Sequence, residues 1–537
     1  MTSRESSADL AVDTARSDSA AAAVHSATRS FLGRGSTYTV IWALQALVIL
    51  LVTPILTRLL GSNQFGQASL ALTLLQVLIA LATLGLQGGI QRLFVEERGP
   101  ERARGVLGLS VLLSTVVGAI LLMTLGWWVP LFGLEHNHGL AATTTVCGVL
   151  GSMATSALAL LRSHDDLRWF ALVSLSQSVA GQAIGIFFLI DFQRSSAAYL
   201  LGVTSGQLLA TALALGRARP RPSGVLDRRT NQAMLAYSLP LVPHTVAAFV
   251  LNAGDRLVVE HYLGATAVAR YQVAYNIGCF GILLLGVLNQ ALVPMLFGIR
   301  EDATRWQISA QLRDQTIRIL LPFTAAVCMG APVALRVLAP PAYRPSGLTS
   351  VAAIVALSAF PYAWYIACIR VLMWHKRTGL LGLASMAAAG VNVLLNIVFV
   401  PAIGIFGSAL ATLLCYAILG VLASLTSNRL SRMPRPGPSV LLSVASAGGF
   451  AVAGTYLPSS PVWLAVRAAA TVVCIGWLVR DARAFRRGPR KRGSHGVSHS
   501  HHHHRPRRQD RDSARDLPTR MAAPSVGTDG SMLSEPS

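Results

Sequence analysis

Three amides and one pair of opposite charges carry most of the chemistry this sequence offers. Gln272, Asn276 and Gln290 fall within one apolar stretch. Gln272 and Gln290 are 18 residues apart, five helical turns, and Asn276 lies about 40° off their line, so all three share a face. Asp255 and Arg256 stand just upstream, with Glu260 and Arg270 beyond them. Gln45, Gln76, Gln87, Gln177, Gln182, Gln207, Asn392 and Asn396 add amides inside other apolar runs. A stripe of amides can hydrogen-bond a polar ligand, or it can bond neighbouring helices to one another. For Asp255 and Arg256 the alternatives are a paired cap and a gate or anion contact supplied by Arg256. No loop gathers acid and base side chains, and no G-x-x-x-x-G-K-[ST] motif occurs, so no catalytic residue and no nucleotide-hydrolysing module is expected.

The elements that must position these residues are membrane helices. The chain has 537 residues, 53% of them hydrophobic, and only 13% are Asp, Glu, Lys or Arg. The 446 residues between positions 34 and 481 carry 42 of those charges, too few to cover a water-soluble surface. The net charge of +22 sits in short clusters between apolar runs rather than on one face, which argues against nucleic acid as a partner. The six cysteines all lie in apolar runs without a C-x-x-C pair, so neither a metal nor a disulfide is indicated, and no cofactor is expected. The first 28 residues have no apolar core, so no cleavable leader is expected. Fourteen stretches are long and apolar enough to span: 36–57, 67–91, 106–128, 140–161, 169–190, 196–216, 232–254, 267–297, 316–338, 348–369, 379–400, 405–427, 438–457 and 462–479.

With the N-terminus inside, the inner loops hold 21 Arg and Lys and the outer loops six, which places both termini in the cytoplasm. Arg370 counts among those inner-loop residues. Shifting the chain by 203 residues aligns 60–94 with 263–297, pairing Leu60-Gly61 with Leu263-Gly264 and Gln87 with Gln290. A shift of 208 pairs Arg162 with Arg370. A repeat of six helices in the same orientation follows. The expected fold is all-α and polytopic, with two pseudo-symmetric six-helix bundles plus two C-terminal helices. The expected divisions are a disordered tail 1–34, bundles 35–216 and 232–428 joined by a linker 217–231, extra helices 429–480, and a disordered Arg/His-rich tail 481–537. The Arg486–Arg492 cluster of that tail is suited to anionic membrane lipids.

The segment Thr53-Pro54-Ile55-Leu56-Thr57-Arg58-Leu59-Leu60-Gly61, followed by Phe65-Gly66, resembles the opening of polysaccharide-biosynthesis flippases. These are O-antigen-type oligosaccharide exporters of the multidrug/oligosaccharidyl-lipid/polysaccharide (MATE-like) superfamily. Ser238-Leu239-Pro240-Leu241-Val242-Pro243-His244, Asn252, Asp255-Arg256-Leu257 and Leu263-Gly264 resemble that family's seventh helix. Asn392, Asn396, Pro401, Gly404, Gly407, Ala409, Ala411-Thr412 and Tyr416 resemble its eleventh and twelfth. Many relatives carry Lys or Arg where this chain has Asn276, so the resemblance transfers no basic contact there.

The resemblance implies a non-enzymatic transporter of the bacterial cytoplasmic membrane that flips a polyprenyl-diphosphate-linked oligosaccharide by alternating access of two bundles. A polysaccharide polymerase and glycosyltransferases would work beside it. The substrate-path candidates are Gln272, Asn276, Gln290, Arg256, Asp255, Gln87 and Gln45. An ion-coupled drug or metabolite antiporter, a cell-wall-precursor flippase and a membrane enzyme of polysaccharide assembly remain as alternatives. The absence of Asp or Glu deep in any expected span weighs against the antiporter.

Overall fold

In a bilayer every backbone N–H and C=O must be satisfied within the protein, and a long apolar run does this by becoming a helix. The computed structural model describes residues 36–487, apart from 97–98, 135–136, 298, 300, 376–377, 432 and 459. Each of the fourteen expected stretches meets a helical segment. The first bundle comprises α1 (Ser36–Leu59), α2 (Ser62–Thr83, continued as Leu86–Phe94), α3 (Gly99–Met123), α4 (His138–Ser163), α5 (Leu167–Asp191) and α6 (Ser196–Ala218). The second comprises α7 (Arg228–Ala253, continued as Asp255–Leu263), α8 (Ala265–Gly278, continued as Phe280–Phe297), α9 (Asp302–Leu338), α10 (Thr349–Trp374), α11 (Thr378–Ile403) and α12 (Ile405–Leu430). Two more helices follow, α13 (Pro438–Tyr456) and α14 (Pro461–Arg487).

By length and apolarity, 12 of these helices qualify as spans among the described residues, or 13 when bent α8 counts as one. In α1 the stretch Leu47–Leu59 counts only as a shorter apolar helix. The expected count of fourteen is therefore approximate. One boundary moves. Helix α14 runs to Arg487, into the segment expected to be a disordered tail from 481. The chain beyond it, and the tail 1–34, lie outside the described residues.

The two bundles repeat one packing scheme. In the first, α4 packs on α2, α3 and α6, while α5 packs on α6 and α1. In the second, α10 packs on α8, α9 and α12, while α11 packs on α12 and α7. Adding six to every helix number of the first scheme gives the second. The bundles meet chiefly where the first half of α8 lies along α2. Gly66 makes that approach possible, because a Cβ there would stand 1.9 Å from the Ala265 carbonyl oxygen.

The apolar cores divide along the chain direction. At the end where α1 turns into α2, expected to face outside, one core joins both bundles: Leu56, Leu60, Phe65 and Leu140 pack in the same cluster as Val268, Tyr271, Leu338 and Tyr343. Hydrogen bonds reinforce this end, from Thr57 Oγ1 to the Leu338 carbonyl (2.6 Å) and from Arg58 to the Val337 carbonyl (2.8 Å). At the opposite end the cores separate. Leu86, Ile90, Leu107, Leu160 and Ala214 belong to the first bundle, joined by Met234 of α7. Ile282, Ile317, Phe360, Tyr416 and Val440 belong to the second bundle and α13. A 54° bend in α8 at Cys279 falls where the shared core gives way to the separate ones.

Helices α13 and α14 pack on α9. Arg467 of α14 is 1% exposed and donates to the carbonyls of Cys328 and Met329 on α9 and of Gly454 and Leu457 on α13. Pro332 has no N–H to offer Cys328 four residues earlier, so the guanidinium takes up a carbonyl that the helix leaves free.

Candidate functional site

Helix α7 does not stop near 254, where the expected span ends. It continues through Asp255–Leu263 and reverses at Gly264, whose φ of +79° favours glycine. Helix α8 then returns antiparallel to it. Arg256 and Gln272 lie eight residues on either side of Gly264, and they meet across the hairpin.

The contact is a chain of hydrogen bonds. Arg256 Nε donates to Gln272 Oε1 (2.6 Å), and Gln272 Nε2 donates to Asn276 Oδ1 (2.6 Å). Asn276 Nδ2 donates to Thr53 Oγ1 of α1 (3.2 Å), which carries the chain from the second bundle into the first. Arg256 also donates to Asp255 Oδ1 (2.9 Å) and to the Asn252 carbonyl (3.1 Å). The other Asp255 oxygen accepts from the Tyr271 hydroxyl (2.5 Å). The guanidinium lies 4.4 Å from the Tyr275 ring centre and 5.9 Å from that of Tyr271, within cation–π range. Tyr416 of α12 donates to Asn252 Oδ1 (3.4 Å), and its ring packs 4.8 Å from that of Tyr362 on α10.

Asp255 and Arg256 are 3% and 5% exposed. Burying either charge alone is costly, and their mutual bond with the tyrosine and amide partners offsets that cost. Asp255 lies just past the span that ends at Ala253, so no carboxylate falls deep in that span, yet the continuation of α7 takes Asp255 inside the protein.

The structure thus brings together four of the seven candidates, Asp255, Arg256, Gln272 and Asn276. Gln45 is elsewhere, donating to the Ser174 carbonyl of α5 (3.1 Å), so it bonds one helix to another. Gln87 is the second residue of the second segment of α2, which follows the left-handed pair Leu84 and Gly85, and its Oε1 is buried without a hydrogen-bond partner among the described residues. The Gln290 side chain lies outside the described residues. Arg270, 14 residues beyond Arg256, points away from the network and donates to the Tyr343 carbonyl (3.2 Å).

Sequence reasoning missed Thr53, Asn252, Tyr271, Tyr275 and Tyr416 as network members. Tyr271 and Tyr275 directly precede Gln272 and Asn276, so the aromatic row beside the amide row was there to be read. It also placed Arg370 in an inner loop. Helix α10 runs on to Trp374, which leaves Arg370 inside the helix and 5% exposed.

This architecture is that of known membrane transporters. The chain is similar to the lipid II flippase MurJ in an inward closed conformation (TM-score 0.62, 15% identity, 83% of this chain and 99% of that one). It is similar to a multidrug resistance MATE family transporter of the MOP superfamily in its inward-facing conformation (TM-score 0.56, 16% identity, 72% of this chain and 94% of that one). The outward-facing conformation of such a transporter gives a TM-score of 0.53 at 16% identity, over 74% of this chain and 95% of that one. At these identities the likeness is one of fold: the chain is an integral multi-pass membrane protein with the MATE and MurJ architecture. Its family is that of polysaccharide biosynthesis proteins, matched over residues 32–299, as the motifs of α1, α2 and α7 implied. The Lsg locus putative protein 1 of Haemophilus influenzae is 21% identical over 257 residues, 47% of this chain. The match spans 62% of that relative's length, less than two thirds.

Proposed function

We propose that the protein is a flippase carrying a polyprenyl-diphosphate-linked oligosaccharide across the bacterial cytoplasmic membrane, with both termini in the cytoplasm. The observation that carries this reading is the partly buried chain Arg256–Gln272–Asn276–Thr53, which crosses between the bundles with amide and hydroxyl groups and one guanidinium. A sugar-diphosphate head needs hydrogen-bonding groups and modest positive charge, while its lipid tail needs none. The family match supports the same substrate class, and a polymerase and glycosyltransferases are the partners it suggests. Alternating access fits the division of the cores: one end is sealed by a shared core while the other is split, and rocking the bundles would exchange the two. Rearranging the Asn276–Thr53 bond is a necessary part of that motion.

One observation favours a second reading. Asp255 is a buried carboxylate beside the bundle seam, as an ion-coupled antiporter requires, although both its oxygens are engaged by Arg256 and Tyr271.

The test is reconstitution into liposomes holding a fluorescent prenyl-diphosphate oligosaccharide, with leaflet location read by a membrane-impermeant quencher. Protein-dependent translocation that falls in Gln272→Leu/Asn276→Leu supports the flippase. Equal rates with and without protein, together with cation-driven efflux of an organic cation, would establish the antiporter instead.

A further inference from the structure

Five arginines are buried among the described residues: Arg256, Arg305, Arg313, Arg370 and Arg467. Four have partners that answer a positive charge. Arg256 has Asp255. Arg305 has Asp302, the Leu296 and Ile299 carbonyls and the Trp374 ring. Arg313 has Asp314, the Pro434 carbonyl and the Trp364 ring. Arg467 has its four carbonyls.

Arg370 differs from all of these. Its one hydrogen bond runs from Nε to Asn289 Oδ1 of α8 (3.0 Å), and it has no ion pair among the described residues. A guanidinium presents five N–H donors in a fixed fork that matches phosphate oxygens. Among the described residues, Nε is the only one of these engaged by a protein acceptor. A cation buried in a spanning bundle without an anion is costly and marks a functional position by default.

The site is also reachable. Beyond its bend, α8 packs chiefly on α9 and α10 of its own bundle. Asn289 is half-exposed there. Gly286, three residues earlier and on the same face, has open space where a Cβ would stand. This is the end at which the two cores are separate, so the Arg370–Asn289 pair lies on the split side of the protein.

We propose that Arg370, held by Asn289, is an oxyanion-docking site that receives the phosphate group of a ligand at the split end of the second bundle. That the ligand is a lipid diphosphate rests on the flippase reading. The site itself rests on the uncompensated guanidinium.

The experiment measures equilibrium binding of radiolabelled farnesyl diphosphate and of inorganic pyrophosphate to the full-length protein in detergent. Arg370→Gln removes the charge. Asn289→Asp sets a carboxylate against Arg370 and fills the site from within, with the fold checked by thermal melting. Arg318→Gln, at an exposed arginine that bonds Ser439, is the control for bulk charge. Farnesyl diphosphate should bind the wild type at least tenfold more tightly than either Arg370→Gln or Asn289→Asp, with Arg318→Gln unchanged within twofold and pyrophosphate a weak competitor. If Arg370→Gln misfolds, the loss in Asn289→Asp with an intact melt carries the result. Pyrophosphate binding as tightly as farnesyl diphosphate, and depending on Arg370, would keep the oxyanion site and refute the lipid-linked reading. Farnesyl diphosphate binding equally to the wild type and both variants would overturn the site and leave the flippase standing. Binding of neither anion to the wild type would also overturn it.

Discussion

The two bundles pack alike and are filled differently. Every buried charged residue described belongs to α7–α14. The buried polar residues of α1–α6 are Thr, Ser and Gln207. The repeat makes the contrast specific. Carried back from 60–94, the shift of 203 places Thr53 opposite Arg256, Ser69 opposite Gln272 and Thr73 opposite Asn276. Ser69 and Thr73 spend their hydroxyls on their own helix, at the Phe65 and Ser69 carbonyls. Arg256, Gln272 and Asn276 reach other side chains. At the shift of 208, Arg162 is exposed and lies 5.2 Å over the Phe170 ring, whereas Arg370 is buried. Two bundles can share an architecture because packing needs only small and apolar residues at the helix contacts. The polar work then falls to one of them, and the other can serve as its wall.

The sharpest way to break this contrast is Asp255→Asn. It leaves Arg256 buried without its anion, at a cost of about 3–5 kcal/mol. Thermal unfolding in detergent should show it, and Asp255→Asn/Arg256→Gln together should recover much of the loss. A melt unchanged by the single substitution would mean that the pair contributes nothing to holding the second bundle.

The seam between the bundles comes next. Gly66→Ala puts a methyl where the Ala265 carbonyl stands, so α2 and α8 must separate at a cost of about 1–3 kcal/mol. A cysteine placed at Leu338 should then react faster with a membrane-impermeant thiol reagent. Thr53→Val removes the hydroxyl that Asn276 uses to reach the first bundle. It should cost about 1 kcal/mol and change the translocation rate more than the melting temperature.

The smallest effect belongs to the first bundle's split end. His164 follows α4 and packs 4.6 Å from Phe94. Partial burial, then Arg104 and Arg217, hold its pKa below the usual histidine value, with Asp166 opposing. The unfolded chain takes up the proton first as the pH falls. The stabilisation is therefore full above the usual histidine value and is lost as the pH drops through the lowered one. Melting temperature should fall slightly from pH 7.5 to pH 5, and His164→Ala should flatten that slope.

The sequence made the helices legible because each span is an apolar run bounded by charge. It made the six-helix repeat legible because Leu-Gly and Gln recur at one offset. Gln272 and Asn276 were readable as one face of one helix. Their tie to Arg256 was not, because it depends on where α7 ends, and Gly264 puts that end at Leu263, nine residues beyond the apolar run. Gln45 shows the converse: an amide within a span reads the same whether it bonds a ligand or the Ser174 carbonyl. Arg370 was hidden by its position, since an arginine at the edge of an apolar run looks like a loop residue until the helix is seen to continue.

The carbonyl cage around Arg467 has a consequence for how the chain is assembled. Helices α13 and α14 leave the ribosome after the two bundles, and Arg467 brings a full positive charge into the apolar stretch 462–479 of α14. Such a charge costs about 2.5–3.5 kcal/mol at the centre of a helix inserted by itself. Two of the carbonyls that relieve it belong to α9, made more than 120 residues earlier. The α13–α14 pair therefore settles only against an α9 already in place, and Arg467 makes its retention in the membrane a check that the second bundle has formed.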